Sequence, residues 1–148
     1  MVESRAWIAL LVLMTAATGT AVAGDPVFSS RGIAIRGYDP VAYVSMGRPV
    51  KGSPEFSYGW KGARWHFASA KNRDTFAADP ERHAPAYGGW CAFAVANGSL
   101  AKIDPEAFTI HDGRLFLNYS LGIQEKWRAD MQAFIRKGDA NYPGLVDD

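Results

Sequence analysis

Apolar and polar positions change period several times along the chain. Phe56, Tyr58 and Trp60 alternate with smaller or polar residues, as do Ala63, Trp65 and Phe67, with Lys61-Gly62 between the two runs. A period of two, aromatic on one side and broken at a glycine turn, predicts a β-hairpin with one buried face. A second hairpin is predicted from runs 108–111 and 114–118 around Asp112-Gly113, a two-residue type I′ loop with Gly113 at positive φ. Residues 33–35 fit a short strand.

Helical signals lie between these runs. Asp39-Pro40 reads as N-cap and first helical residue of a helix to about Ser45, with Gly47 just past its end. Ser69 caps a helix over 70–78, which Asp79-Pro80 ends. The run Trp90-Cys91-Ala92-Phe93-Ala94-Val95-Ala96 is apolar on every side, the pattern of a buried helix, and Asn97-Gly98 stops it. Asp104-Pro105 repeats the cap signal for one helical turn. Ser120 opens a final helix to about Lys137, with Gly138 as its stop; Ile123, Trp127, Met131 and Phe134 make one stripe. Residues 24–32 read as a loose arm and 138–148 as an irregular tail. The expected fold is α+β: a small single domain with an antiparallel sheet built from two hairpins, packed with three to four helices.

The N-terminus has a different pattern. Arg5 precedes the apolar run 6–14, and Ala21-Val22-Ala23 forms an A-x-A site before Gly24. This is the pattern of a cleaved secretory signal over 1–23, with the domain in 24–148 and a periplasmic or secreted location. An uncleaved anchor is the alternative. No cysteine follows the cleavage site, which excludes a lipoprotein, and no twin-arginine pair is present. Removing 23 of 148 residues leaves 125, enough for one domain with one core.

Composition narrows the function. With 48% hydrophobic and 21% charged residues the chain is an ordinary folded protein. A net charge of +1 excludes the strongly basic surface of most nucleic-acid binders and gives no pull toward anionic membranes. A single cysteine excludes an internal disulfide, a multi-cysteine zinc site and a haem attachment motif. No GxSxG, HExxH, Walker or GxGxxG pattern occurs.

The candidate chemistry is therefore Cys91 and three histidines. At the start of a helix, Cys91 feels the positive end of the dipole, which lowers a thiol pKa; its apolar neighbours favour burial, which raises it. A buried, structural Cys91 is the competing reading. His66, between Trp65 and Phe67, is expected to point to solvent, and His111 beside the turn likewise. His83, eight residues before Cys91, is the histidine most able to approach the thiol. Asp39, Asp79, Asp104 and Asp112 sit at caps or turns and are given no catalytic part.

The segments Gly37-Tyr38-Asp39-Pro40-Val41-Ala42-Tyr43, Trp65-His66-Phe67-Ala68-Ser69-Ala70, Asn72-Arg73-Asp74-Thr75-Phe76, Asp79-Pro80-Glu81-Arg82 and Tyr87-Gly88-Gly89-Trp90-Cys91-Ala92 resemble those of exported YHS-domain proteins. The resemblance runs on through Leu117-Asn118-Tyr119 and the final helix. It implies kinship with small metal-binding modules found beside copper- and heavy-metal-transporting ATPases and in some oxygenases. In metal-binding versions cysteines follow the Asp-Pro-Val and flank the Phe-x-Ser; here Ala42 and Ala68 stand there, and Cys91 is the thiol that remains.

Three readings follow. The first is a periplasmic, non-catalytic module holding a soft metal ion such as Cu(I) through Cys91 and His83, with Met46 or Met131 able to contribute. The second is a metal-free small-ligand or protein-interaction module in which Cys91 is structural. The third, an enzyme with Cys91 as nucleophile, needs a base and an orienting group that the sequence does not place. The export reading has its own test: mass spectrometry of the exported protein should give Gly24 as the first residue, and an intact Met1 form held in the membrane would overturn it.

Overall fold

In a computed structural model, described here for residues 23–147, the chain folds as α+β. The 1–23 signal lies outside the described residues but for Ala23. Both hairpins form. The first joins β3 (Ser53–Trp60) to β4 (Ala63–Phe67), and the second joins β5 (Asp104–His111) to β6 (Arg114–Asn118). Asp112 and Gly113 sit at φ 49° and 75°, as a type I′ turn requires.

The hairpins do not share one antiparallel sheet. β1 (Ser29–Ser30) and β2 (Ile33–Ala34) extend the first into a four-stranded mixed sheet ordered β1-β2-β4-β3, while β5-β6 stands alone. β2 runs parallel to β4 with Ile33 opposite Arg64. With β2 on one side and β3 on the other, β4 has no edge left for the second hairpin. The arm is therefore not loose. Val27 and Phe28 are buried, the Phe28 N–H donates to the Gly88 carbonyl at 3.0 Å, and the Ile35 N–H to the Phe28 carbonyl at 3.1 Å.

Among the described residues there are six α-helices, more than the three to four expected. α1 (Pro40–Met46) and α2 (Ala70–Ala78) match their caps: Asp39 and Ser69 accept from the first-turn N–H groups. α3 (Pro80–His83) is one turn on Asp79. α4 (Ala92–Ala96) is the apolar helix, two residues shorter at its start than expected. The final helix breaks at Asp130 (φ −143°) into α5 (Leu121–Ala129) and α6 (Met131–Leu145).

Two further expectations are corrected. Asp104-Pro105 opens strand β5, not a helical turn: Asp104 Oδ1 accepts from the Glu106 N–H at 2.9 Å, and Asp104 pairs with Asn118 before a bulge. Residues 138–145 continue α6 instead of forming a tail. Gly138 is buried in that helix because a Cβ there would lie 2.5 Å from the Tyr87 hydroxyl, so its role is close packing rather than a stop. The tail also meets the arm, with Gly24 N–H donating to the Leu145 carbonyl and Asp147 N–H to the Gly24 carbonyl, both at 2.9 Å.

The core has two parts. In the first, Phe76 of α2 is fully buried against the hairpin aromatics, its ring 5.1 Å from both Trp65 and Phe67 and 5.8 Å from Trp60. The second gathers Tyr87, Ala92, Val95, Phe116 and Trp127 under α6. The expected stripe spans both: Ile123 packs on the first part, Met131 and Phe134 on the second.

Asp39 ties the first part together. Its fully buried carboxylate accepts from the N–H groups of Val41 (2.8 Å) and Ala42 (3.1 Å), from the Ala68 N–H (2.9 Å) and from Asn72 Nδ2 (2.8 Å). Asp39→Asn keeps the shape but turns two acceptor oxygens into one and sets an NH₂ against these donors. Urea titration should show a loss of about 2–4 kcal/mol, and a loss under about 1 kcal/mol would mean that the carboxylate is not what holds the cap.

Candidate functional site

Cys91 lies at the N-cap position of α4 and is 1% exposed, within the first core cluster. Its S–H donates to Asn118 Oδ1 at 3.6 Å, and the same oxygen accepts the Phe93 N–H at 3.0 Å. The two effects anticipated at this thiol both operate. Burial pushes its pKa up, while the backbone N–H groups of Ala94, Tyr119 and Phe93 pull it down; burial wins. The polar side chain at the sulfur is an amide, not a base, and sequence reasoning missed it. The signal was faint: Asn118 ends the otherwise apolar run Leu115-Phe116-Leu117.

The histidines do not gather around this thiol. His83 ends α3 and lines a groove with Val41, Val44, Thr75 and Leu115, of which Cys91 is not part. His111 is half-buried, with Nε2 3.3 Å from Asp112 Oδ2. His66 does not simply face solvent: it is half-buried on the wall of a separate cavity, and burial, followed by the charges of Arg64 and Lys51, lowers its pKa. Met46 is 51% exposed and Met131 packs on the second core cluster. Among the described residues no three His, Cys, Asp or Glu side chains come together in a way that could hold a metal ion. An amide oxygen and apolar walls around a protonated thiol do not fit a Cu(I) site, which needs converging soft ligands.

The Tyr87-Gly88-Gly89 segment builds a different feature. All three residues have positive φ (60°, 61° and 88°), rare for a tyrosine. A Cβ on Gly88 would meet the Pro26 carbonyl oxygen at 1.8 Å, so the arm lies directly on the turn. Tyr87 thereby crosses the domain to α6. Its hydroxyl donates to Asp139 Oδ1 at 3.0 Å, and Asp139 takes a forked ion pair from Arg114 at 3.0 and 3.3 Å. Burial, then the Asp139 charge, raises the Tyr87 pKa, so the phenol stays a neutral donor.

This network forms one side of a groove of about 400 Å³. Trp60, Tyr87 and Tyr142 supply aromatic walls; Lys61, Arg82 and Arg114 supply cations. Lys61 is paired with Glu81 at 3.4 Å, whereas no carboxylate pairs with Arg82 among the described residues. Arg82 and Arg114 also wall a second hollow of about 710 Å³ that reaches His83 and Val44, so the two open on a shared rim. The volume lies within the range of small-molecule sites, with rings and charged groups sharing the lining.

Comparison with known proteins returns no matching family model, no matching curated protein and no matching solved structure. The YHS resemblance therefore rests on the motifs quoted above. Among the described residues no helix is long and apolar enough to cross a membrane.

The thiol gives a test. Native protein should resist alkylation at pH 8 and label fully once unfolded. Cys91→Ser should cost more than about 1 kcal/mol in denaturant titration, because a hydroxyl replaces a sulfur in an apolar setting. The folded thiol holds its proton where the unfolded one, with an ordinary value of 9.0, releases it. The Cys91 contribution should thus be constant below pH 8 and shrink as pH rises past 9, so that the stability difference between wild type and Cys91→Ala narrows there, whereas the pH dependence from His66, Tyr43 and Tyr87 is common to both. Rapid labelling of the native protein would overturn the assignment.

Proposed function

We propose that the chain is an exported, YHS-like, metal-free module that binds a small ligand, with Cys91 part of its core. The observation that carries this reading is the groove against the left-handed Tyr87 turn, lined by Trp60 and Tyr142 and by Arg82, which no carboxylate pairs among the described residues. Strain of this kind survives only where the surroundings enforce it, and such positions concentrate at binding sites. Rings plus a free cation favour a ligand with a planar apolar part and an anionic group. Export is supported by the apolar run and the Ala21-Val22-Ala23 site. The Cu(I) reading through Cys91 and His83 has less support, because the thiol is protonated and His83 lines another wall. No catalytic role is assigned.

Ligand-observed NMR with phenylacetate and benzoate as probes tests the reading. Saturable binding is expected, weakened about tenfold in Arg82→Ala and several-fold in Trp60→Ala, with the fold intact by circular dichroism. A parallel Cu(I) titration should find no stoichiometric uptake. One equivalent of tightly held copper, lost in Cys91→Ser, would replace this reading with the metal one; no probe binding together with no copper uptake would remove both.

A further inference from the structure

A further cavity, about 470 Å³ in volume, is lined by residues of the four-stranded sheet and by Arg36 and Gly37 of the turn Ile35–Gly37. Its wall is lined by four basic residues, Arg31, Arg36, Lys51 and His66, together with Ser30, and among the described residues no Asp or Glu is part of it. These residues are far apart in sequence. Arg31 belongs to the β1–β2 turn, Arg36 to the left-handed turn, Lys51 to the approach to β3, and His66 to β4. None of Arg31, Arg36 and Lys51 is paired with a carboxylate among the described residues.

The fold holds two of these cations in place by other means. Arg36 Nε donates to the Ile103 carbonyl at 2.9 Å, and the guanidinium carbon lies 5.7 Å from the Phe28 ring centre; among the described residues the terminal N–H groups have no hydrogen-bond partner. Lys51 Nζ donates to the Arg36 carbonyl at 3.0 Å and sits 5.1 Å from the Tyr38 ring centre. The backbone enforces this arrangement at a cost: Arg31, Ile35 and Arg36 all have positive φ (54°, 40° and 59°), and Ile35 is β-branched. Arg31, Arg36 and Lys51 are exposed, but two of the three are held by the fold on one concave wall, which makes the site partly preorganised for an anion.

We propose that this cavity binds a compact phosphate-type oxyanion, with Arg36, Lys51 and Arg31 as charge partners and Ser30 and His66 as hydrogen-bond partners. A tetrahedral phosphate oxyanion matches several separate donors better than a flat carboxylate, which suits one fork. The group could be free phosphate or the headgroup of an anionic lipid. His66 supplies an internal reporter. Its proton affinity is lowered by burial and then by Arg64 and Lys51, so a bound anion must raise it.

Titration of the purified protein with inorganic phosphate at constant ionic strength, followed by NMR, tests the site. Saturable shifts confined to these five residues are expected, with an upward shift of the His66 pKa. Lys51→Gln should weaken binding about tenfold and Arg31→Gln by several-fold, whereas Arg48→Gln, an exposed cation not on the cavity wall, should leave it unchanged. Vesicles containing phosphatidylglycerol form a second arm: Lys51-dependent co-sedimentation that phosphate displaces assigns the lipid source, and phosphate binding without co-sedimentation assigns the free ion. Non-saturating shifts spread over the surface, or equal losses in Lys51→Gln and Arg48→Gln, would overturn the proposal.

Discussion

The buried carboxylate of Asp39 is the constraint on which much of the structure turns. Removing a charge from water costs several kcal/mol unless donors replace the lost hydration. Four N–H donors do so here, and they come from three places: the first turn of α1, the end of β4 and the start of α2. Satisfying one group therefore positions a helix, a strand and a second helix relative to each other. Phe76 then reaches the hairpin aromatics from a helix with no other buried residue, so α2 is placed by the Asp39 and Ser69 bonds as much as by its own apolar surface. The backbone of Asp39 extends the effect: its N–H donates to the Val50 carbonyl at 2.9 Å, and Tyr38 bridges Lys51. The same register that closes the cap delivers Lys51 to the side of Arg36.

A second constraint is the meeting of two left-handed turns. Ile35-Arg36-Gly37 and Tyr87-Gly88-Gly89 pack so closely that a Cβ on Gly89 would lie 2.4 Å from Ile35 Cγ2. The arm binds both, through Phe28 N–H to Gly88 and Ile35 N–H to Phe28. Each non-glycine residue held in this region costs on the order of 1–3 kcal/mol, which burial of Val27, Phe28 and Ile35 helps to offset. The two turns line different cavities, one with aromatic rings and both signs of charge, the other with Arg31, Arg36, Lys51 and His66 as its ionisable groups among the described residues. Backbone strain thus lies beside both of these cavities.

Much of this was legible in the sequence where the determinant was local. The two glycine turns, the Asp39, Ser69 and Ser120 caps and the alternating aromatics all produced the expected elements. Long-range determinants were not legible. The arm is ordered by Gly88 and the tail, neither of which its own residues announce. Gly138 follows a helical stripe and so looks like a stop, yet it is needed for contact with Tyr87, 51 residues earlier. At Cys91 both opposing effects were readable, but their balance depends on how tightly α4, β6 and Asn118 close around the sulfur. Arg82 sits in a motif segment, but its lack of a carboxylate partner among the described residues is a property of the assembled groove.

Net charge carried a similar ambiguity. A total of +1 gave no reason to expect an anion site, because opposite charges cancel in the sum wherever they lie. In the fold they are segregated. Lys61 and Arg114 are neutralised by Glu81 and Asp139 on one face, while Arg31, Arg36 and Lys51 surround the other cavity without a carboxylate. The local field at that cavity is set by charges within about one Debye length, on the order of 10 Å, and not by the total. Its sign is fixed by the two backbone devices above: the Asp39 register brings Lys51, and the left-handed turn presents Arg36. A chain of nearly zero net charge can therefore carry a hollow lined by basic side chains, and here the elements that stabilise the domain are the ones that bring them together.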